Sequence, residues 1–156
     1  MKVLFVYVNP TSRAAFPIGL ANLATYIESL GHEVEVFDTT FYKDFSLQDR
    51  ENIREKIGLY KNVTNPVERV YLDSDLKTDL INRIGEFRPD IIGFSVMSSG
   101  FYFAVKVSRK VKELYPDTPI IFGGLHPSLC PEETIKEPSI DMICIGEGEE
   151  TFTEVY

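Results

Sequence analysis

Two cysteines, Cys130 and Cys144, are all that the 156 residues contain. That scarcity excludes a disulfide-built scaffold and an iron–sulfur cluster held within the chain, which takes several thiolates. Cys144 lies inside an apolar run, where a buried thiol serves as a small hydrophobe. Long apolar runs are missing too, since no stretch approaches the roughly 18 residues of a membrane span. Met1-Lys2 leads straight into a strand-like run, without the apolar segment and small-residue cleavage site of a secretory leader. The expectation is a cytoplasmic protein with no membrane partner. Basic residues are outnumbered: 16 Lys and Arg stand against 24 Asp and Glu, for a net charge of −8. Phosphate backbones are repelled on average, so no nucleic acid is expected as a partner.

What is present is the composition of one globular domain, 44% hydrophobic and long enough to bury a core. Val3–Val8 is a short β-branched and aromatic run that suits a buried strand. Ile18, Leu20, Leu23, Tyr26, Ile27 and Leu30 then recur at helical spacing, with Pro17 at the start and Gly31 past the end. Glu33–Phe37 alternates as a strand. Thr39–Ser74 breaks the pattern. It reads as an insertion in which Ser46 and Asp49 resemble a capping box for a helix through about Leu59, followed by a breaker at Asn62–Pro66. Alternation then resumes. Asp75–Phe87 is an amphipathic helix stopped by Arg88-Pro89-Asp90. Strands are expected over Ile91–Val96, Pro119–Phe122 and Ile140–Ile145, with helices over Phe101–Leu114 and Pro131–Lys136. A last helix starts at Glu149 and reaches Tyr156 without a Gly, Pro or polar close, as if cut from a longer protein. Five strands alternating with helices predict a three-layer, doubly wound α/β fold. The sheet is parallel and flavodoxin-like or Rossmann-like, in the order 2-1-3-4-5.

In such a sheet the turns that leave the strand carboxyl ends open on one edge, where ligands bind. Four of these turns are rich in small residues. They are Asn9-Pro10-Thr11-Ser12 through Pro17-Ile18-Gly19, Ser95-Val96-Met97-Ser98-Ser99-Gly100, Gly123-Gly124-Leu125-His126-Pro127, and Gly146-Glu147-Gly148-Glu149-Glu150-Thr151. Small residues let a ligand lie against backbone. The pattern points to a binding surface before it points to chemistry. No His–carboxylate pair accompanies Ser95, Ser98 or Ser99, so they are poor nucleophiles. Acidic residues such as Glu147, Glu149 and Glu150 are favoured at a helix start by its dipole alone. His32, in a helix-to-strand turn, reads as an electrostatic close to the helix end.

The order of motifs resembles the N-terminal cobalamin-binding domain of B12-dependent radical S-adenosylmethionine (SAM) enzymes. These include anaerobic magnesium-protoporphyrin monomethyl ester cyclases and various methyltransferases. The match is carried by Pro17-x-Gly19-Leu20-x-x-Leu23-Ala24-x-Tyr26 with Gly31-His32-x-Val34, and by Pro89-Asp90-Ile91-Ile92-Gly93-Phe94-Ser95. It continues through Ile120-x-Phe122-Gly123-Gly124-x-His126-Pro127 and Asp141-x-Ile143-x-x-Gly146-Glu147-Gly148-Glu149-x-Thr151. The resemblance implies that residues 1–156 form a cobalamin-binding domain, with the corrin across the carboxyl edge of the sheet. The nucleotide tail would descend between sheet and helices near Ser95, Gly123 and Gly124. Implied cofactor contacts are Pro10, Thr11 and Pro17 in the first turn and Ser95, Met97, Ser98 and Ser99 in the second. The third turn supplies Gly123, Gly124, His126 and Pro127, and the fourth Gly146, Glu147 and Gly148. No catalytic residue and no protein metal ligand is implied.

Two departures matter. Cobalamin domains of the methionine synthase and mutase type carry Asp-x-His-x-x-Gly after the first strand, and its His ligates cobalt. Here Asn9-Pro10-Thr11-Ser12-Arg13-Ala14-Ala15 has no His, so the implied cofactor is base-off without a protein imidazole. The Cys-x-x-x-Cys-x-x-Cys of a [4Fe–4S] cluster is also absent. The resemblance therefore places the cluster, SAM and catalysis in a C-terminal radical SAM domain beyond Tyr156. This chain alone is not expected to catalyse. Two other readings stay open: a flavin or nucleotide carrier using Pro10-Thr11-Ser12-Arg13, and a degenerate domain that only docks a partner. A response-regulator receiver is excluded, because Ser95 and Met97 stand where its third strand needs an Asp.

Overall fold

The computed structural model describes residues 1–9, 17–42, 58 and 71–154. Five strands, β1 (Lys2–Tyr7), β2 (Glu33–Asp38), β3 (Ile91–Ser95), β4 (Ile120–Gly123) and β5 (Met142–Ile143), form one sheet. Its order is β2-β1-β3-β4-β5 and every pairing is parallel, as the alternation predicts. The helices are α1 (Ile18–Ser29), α2 (Leu76–Phe87), α3 (Phe101–Leu114), α4 (Leu125–Leu129), α5 (Pro131–Ile135) and α6 (Gly148–Glu154), with a 3-10 turn at Ser98–Gly100.

Strand alternation divides the core in two. Leu4, Val6, Val8, Ile92, Phe94, Ile120 and Phe122 point to one face, where α2 and α3 bring Leu80, Ile84, Ala104, Val107 and Val111. Val3, Phe5, Ile91, Ile121 and Cys144 point to the other and meet Leu20 and Ile27 of α1 and Phe152 of α6. Each helix follows from its punctuation. Asp75 caps α2 by accepting the Thr78 backbone N–H at 2.8 Å. Gly31, at φ +86°, follows α1 in the left-handed region that a glycine adopts without strain.

Two elements differ from the sequence expectation. β5 covers only Met142–Ile143 rather than Ile140–Ile145, because the chain turns away at once and leaves Ile145 exposed. Single bonds, Asp141 N–H to Ile120 O and Cys144 N–H to Phe122 O, continue its pairing at both ends. α4 is unforeseen, since five residues are too few for a helical period and Pro127 reads as a breaker. Proline is nevertheless accepted in a first turn. The inserted stretch is fixed at its base by a parallel bridge between Tyr42 and Leu72. Tyr42 is buried there, stacked on Phe37 at 5.6 Å. The expected helix of the insertion, from Ser46 to about Leu59, and the Asn62–Pro66 breaker lie outside the described residues.

Candidate functional site

The α1 side of the sheet loses its side chains toward the carboxyl edge. In register, Phe5 pairs with Gly93 and Gly93 with Ile121, and one row further Tyr7 pairs with Ser95 and Ser95 with Gly123. Gly93, Ser95 and Gly123 thus fall on the same face, next to Cys144. Where a branched residue would meet the helices, there is a glycine or a hydroxymethyl group. The result is a cavity of about 280 Å³ between sheet, α1 and α6. Ser95, Gly123, Gly124 and Cys144 line its upper part, and Phe5, Ile121 and Phe152 are among its apolar lining. Gly19, Leu20, Asn22 and Leu23 of α1 and Gly146–Glu149 complete the wall.

The backbone around the slot is built for close approach. Gly124 sits at φ +97°, ψ −164°, and a Cβ there would lie 3.0 Å from both the N and O of Val96. At the opposite wall a Cβ on Gly148 would come 2.6 Å from a Leu23 methyl. Ser128 ties the two glycine turns together: its Oγ donates to Gly124 O at 2.9 Å and accepts from Gly146 N–H at 3.1 Å. The Cys144 thiol is held between Thr151 Oγ1 at 3.1 Å and the Glu147 carbonyl. It is a structural thiol within the wall, as its apolar run predicts.

Above the slot the second turn is exposed at Met97, Ser98 and Ser99. His126 lies beneath this turn, only 6% exposed. Its ring stacks on Phe101 with centroids 4.0 Å apart, and its Nδ1 meets Ser98 Oγ at 3.2 Å. The backbone interlocks here as well, with Val96 N–H donating to Gly123 O and His126 N–H to Val96 O. Tyr7, near the same edge, has its phenol pushed up by burial and by the Asp38 charge.

Of the sequence-predicted residues, Ser95, Gly123, Gly124, Gly146, Glu147 and Gly148 meet at the slot. Met97, Ser98 and Ser99 form the rim, while His126 and the buried Pro127 support it from below. Pro17 precedes α1 as its cap and does not line the slot. Pro10 and Thr11 lie outside the described residues. Sequence reasoning read Leu20 and Leu23 only as helix-periodic and motif residues and did not place Phe5, Gly93 or Ser128 at the site. The signal for Gly93 was available, since a glycine two residues before Ser95 in a strand must share its face.

Residues 64–156, more than half of the chain, match the model of the B12-binding domain. The chain belongs to the B12-binding domain family. This B12-binding domain is 29% identical over 99% of its length to an uncharacterized methyltransferase, PH0819, of Pyrococcus horikoshii, and covers 28% of that protein. It is 27% identical over 90% of its length to the cytidylyl-2-hydroxyethylphosphonate methyltransferase of Streptomyces wedmorensis, covering 24% of it. The chain therefore spans about a quarter of the length of these curated relatives. Among solved structures, the radical SAM methyltransferase TsrM from Kitasatospora setae, with cobalamin and a [4Fe–4S] cluster bound, superimposes with a TM-score of 0.69. That match has 22% identity over 99% of this chain and 24% of TsrM. A cobalamin-binding protein from Desulfitobacterium hafniense gives a TM-score of 0.57 at 17% identity, over 99% of this chain and 58% of the other. At those identities the structural likeness speaks to the fold, which is the B12-binding, Rossmann-like sheet. Among the described residues no helix is long and apolar enough to cross a membrane.

Proposed function

We propose that this chain holds cobalamin base-off, with the corrin on the Met97–Ser99 and Gly146–Gly148 rim and the nucleotide tail in the slot. The slot carries the reading. Its volume lies just below the usual lower bound of about 300 Å³ for a pocket enclosing a small molecule. It therefore suits an arm of a larger ligand rather than a whole one. Ser95 offers a hydroxyl to polar tail atoms, and the glycines let the tail run against backbone. The acidic surface is compatible with a mostly neutral ligand, which needs no basic pocket.

The positions of the histidines support binding without a protein ligand to cobalt. The chain has two. His32 lies at the amino end of β2, 3.4 Å from the Met1 amino group and on the far edge from the slot. His126 is stacked on Phe101 below the rim. Neither is presented above the carboxyl edge. The residues of this chain would orient the cofactor, keep its base in a water-poor slot and leave its upper face open; when bound, cobalamin supplies a redox-active cobalt centre.

A catalytic radical SAM domain with a [4Fe–4S] cluster and SAM belongs to the same reading, as the C-terminal partner beyond Tyr156. Two observations support it. The relatives are about four times as long, and the rim exposes Met97, Leu125, Leu129 and Ile145, each more than half accessible. Exposed apolar residues after β3, β4 and β5 suit a covering partner.

The test is uptake. The chain is mixed with hydroxocobalamin and desalted, and its visible spectrum is recorded. Corrin absorbance should be retained and should be lost in Gly123→Leu, whose side chain fills the slot. Reduced to the cob(II)alamin state, the complex should show no nitrogen coupling to cobalt in its electron paramagnetic resonance spectrum. A folded chain that emerges colourless, or a coupled nitrogen, overturns the reading. Flavin fluorescence on purification would favour a flavin carrier instead.

A further inference from the structure

Outside the slot, α4 and α5 bring together three metal-ligating side chains. An imidazole nitrogen of His126, the Cys130 thiol and a Glu133 carboxylate oxygen all lie within 4.8 Å of one another. The spacing explains the meeting. His126 and Cys130 are four residues apart across one helical turn, with Cys130 N–H donating to His126 O at 2.8 Å. Cys130 is the joint where α4 ends and α5 begins, and Glu133 lies in the first turn of α5.

A second observation points to a ligand. Nε2 of His126 is buried and has no hydrogen-bond partner among the described residues. A buried nitrogen left in that state calls for an explanation. The other ring nitrogen is engaged, because Nδ1 meets Ser98 Oγ. One nitrogen fixed by a polar partner and the other left free is the arrangement of a metal-ligating histidine.

We propose that His126, Cys130 and Glu133 form a site for a borderline-soft divalent cation of the Zn²⁺ type, with a water as fourth ligand. Thiolate, imidazole and carboxylate together favour Zn²⁺ over the hard cations Mg²⁺ and Ca²⁺. Bonds of roughly 2.0–2.3 Å place tetrahedral ligands about 3.5 Å apart. The donors must therefore draw in, and the exposed Glu133 is free to do so. The ion would lock the α4–α5 joint and, through His126 and Ser98, stiffen the rim above the slot. The site does not depend on what the slot holds.

The experiment uses the chain free of cobalamin, stripped with a chelator and then titrated with Zn²⁺ and, separately, Co²⁺. One Zn²⁺ per chain should survive gel filtration, measured by elemental analysis. Co²⁺ should give a thiolate-to-cobalt charge-transfer band that Zn²⁺ displaces. Cys130→Ser should abolish that band, and Glu133→Gln, an exposed change that leaves the fold alone, should weaken Zn²⁺ binding. Ser98→Ala removes the partner of Nδ1 and should cost roughly 10–100-fold in affinity. No bound Zn²⁺ in the unaltered chain, or a band that persists in Cys130→Ser, overturns the proposal.

Discussion

The ring of Phe5 occupies the space that a side chain on Gly93 would need: a Cβ there would stand 2.7 Å from both Cδ1 and Cε1. The same ring meets Phe152 of α6 edge-on, with centroids 5.6 Å apart. Gly93→Ala should therefore push Phe5 toward α6 and destabilise the chain by about 1–3 kcal/mol, the range for overpacked cores. Urea unfolding measures this. Phe5→Leu in the Gly93→Ala background should recover part of the loss, giving a coupling that independent sites do not show.

Gly124→Ala should be worse than its added volume suggests. Its φ of +97° with ψ near extended belongs to a region almost confined to glycine, and the crowding atoms are Val96 backbone. Backbone cannot rotate aside as a side chain does. The expected cost is about 1–3 kcal/mol for the conformation, with the contact adding to it. Cobalamin uptake should fall in parallel with the unfolding midpoint.

Tyr42 makes stability depend on alkaline pH. Burial, then the hydrogen bond to Asp79 and its charge, push its phenol from 10.0 to about 12, against smaller opposing effects of Ser74 and Arg83. The folded chain thus keeps a proton that the unfolded chain loses first. The contribution is whole below pH 10.0 and is lost as pH rises toward about 12. Urea midpoints across that window should fall with pH, and Tyr42→Phe should flatten the fall. At neutral pH the variant loses the 2.9 Å bond to the Asp79 carboxylate, at a cost of about 1.5–3 kcal/mol.

Ser128→Ala should loosen the site without unfolding it. It removes both the bond to Gly124 O and the one from Gly146 N–H. Amide exchange at Gly146 should quicken while the global stability falls by about 1 kcal/mol or less. Equal exchange in both proteins would show that the two turns are held by something else.

Much of this architecture is legible in the residues. Phe101–Leu114 is predicted and found with the same bounds, because nearly four turns of burial at helical spacing leave little ambiguity. The sheet order follows from strand–helix alternation. Asp90 and Asp141, read within motifs, prove to be structural: each accepts a backbone N–H at the amino end of a strand, from Lys2 and Ile120. Short elements are not legible in this way. α4 has no period to read, and β5 is an edge strand whose apolar run continues beyond its pairing. The slot was half visible. Glycines in turns announce a binding edge, but a cavity is the gap between elements, and only register shows that Ser95 and Gly123 leave theirs side by side on one face.

The two faces of the sheet differ in completeness. On the α2–α3 side, Phe94 and Phe122 stack at 4.9 Å and close the layer, whereas on the α1 side the row through Ser95 and Gly123 stops short of its helices. A guest seated there becomes part of the interior, doing the work that missing aliphatic groups would otherwise do. Loading should then resemble a late folding step, raising the melting temperature in proportion to the logarithm of free guest and enlarging the heat capacity of denaturation.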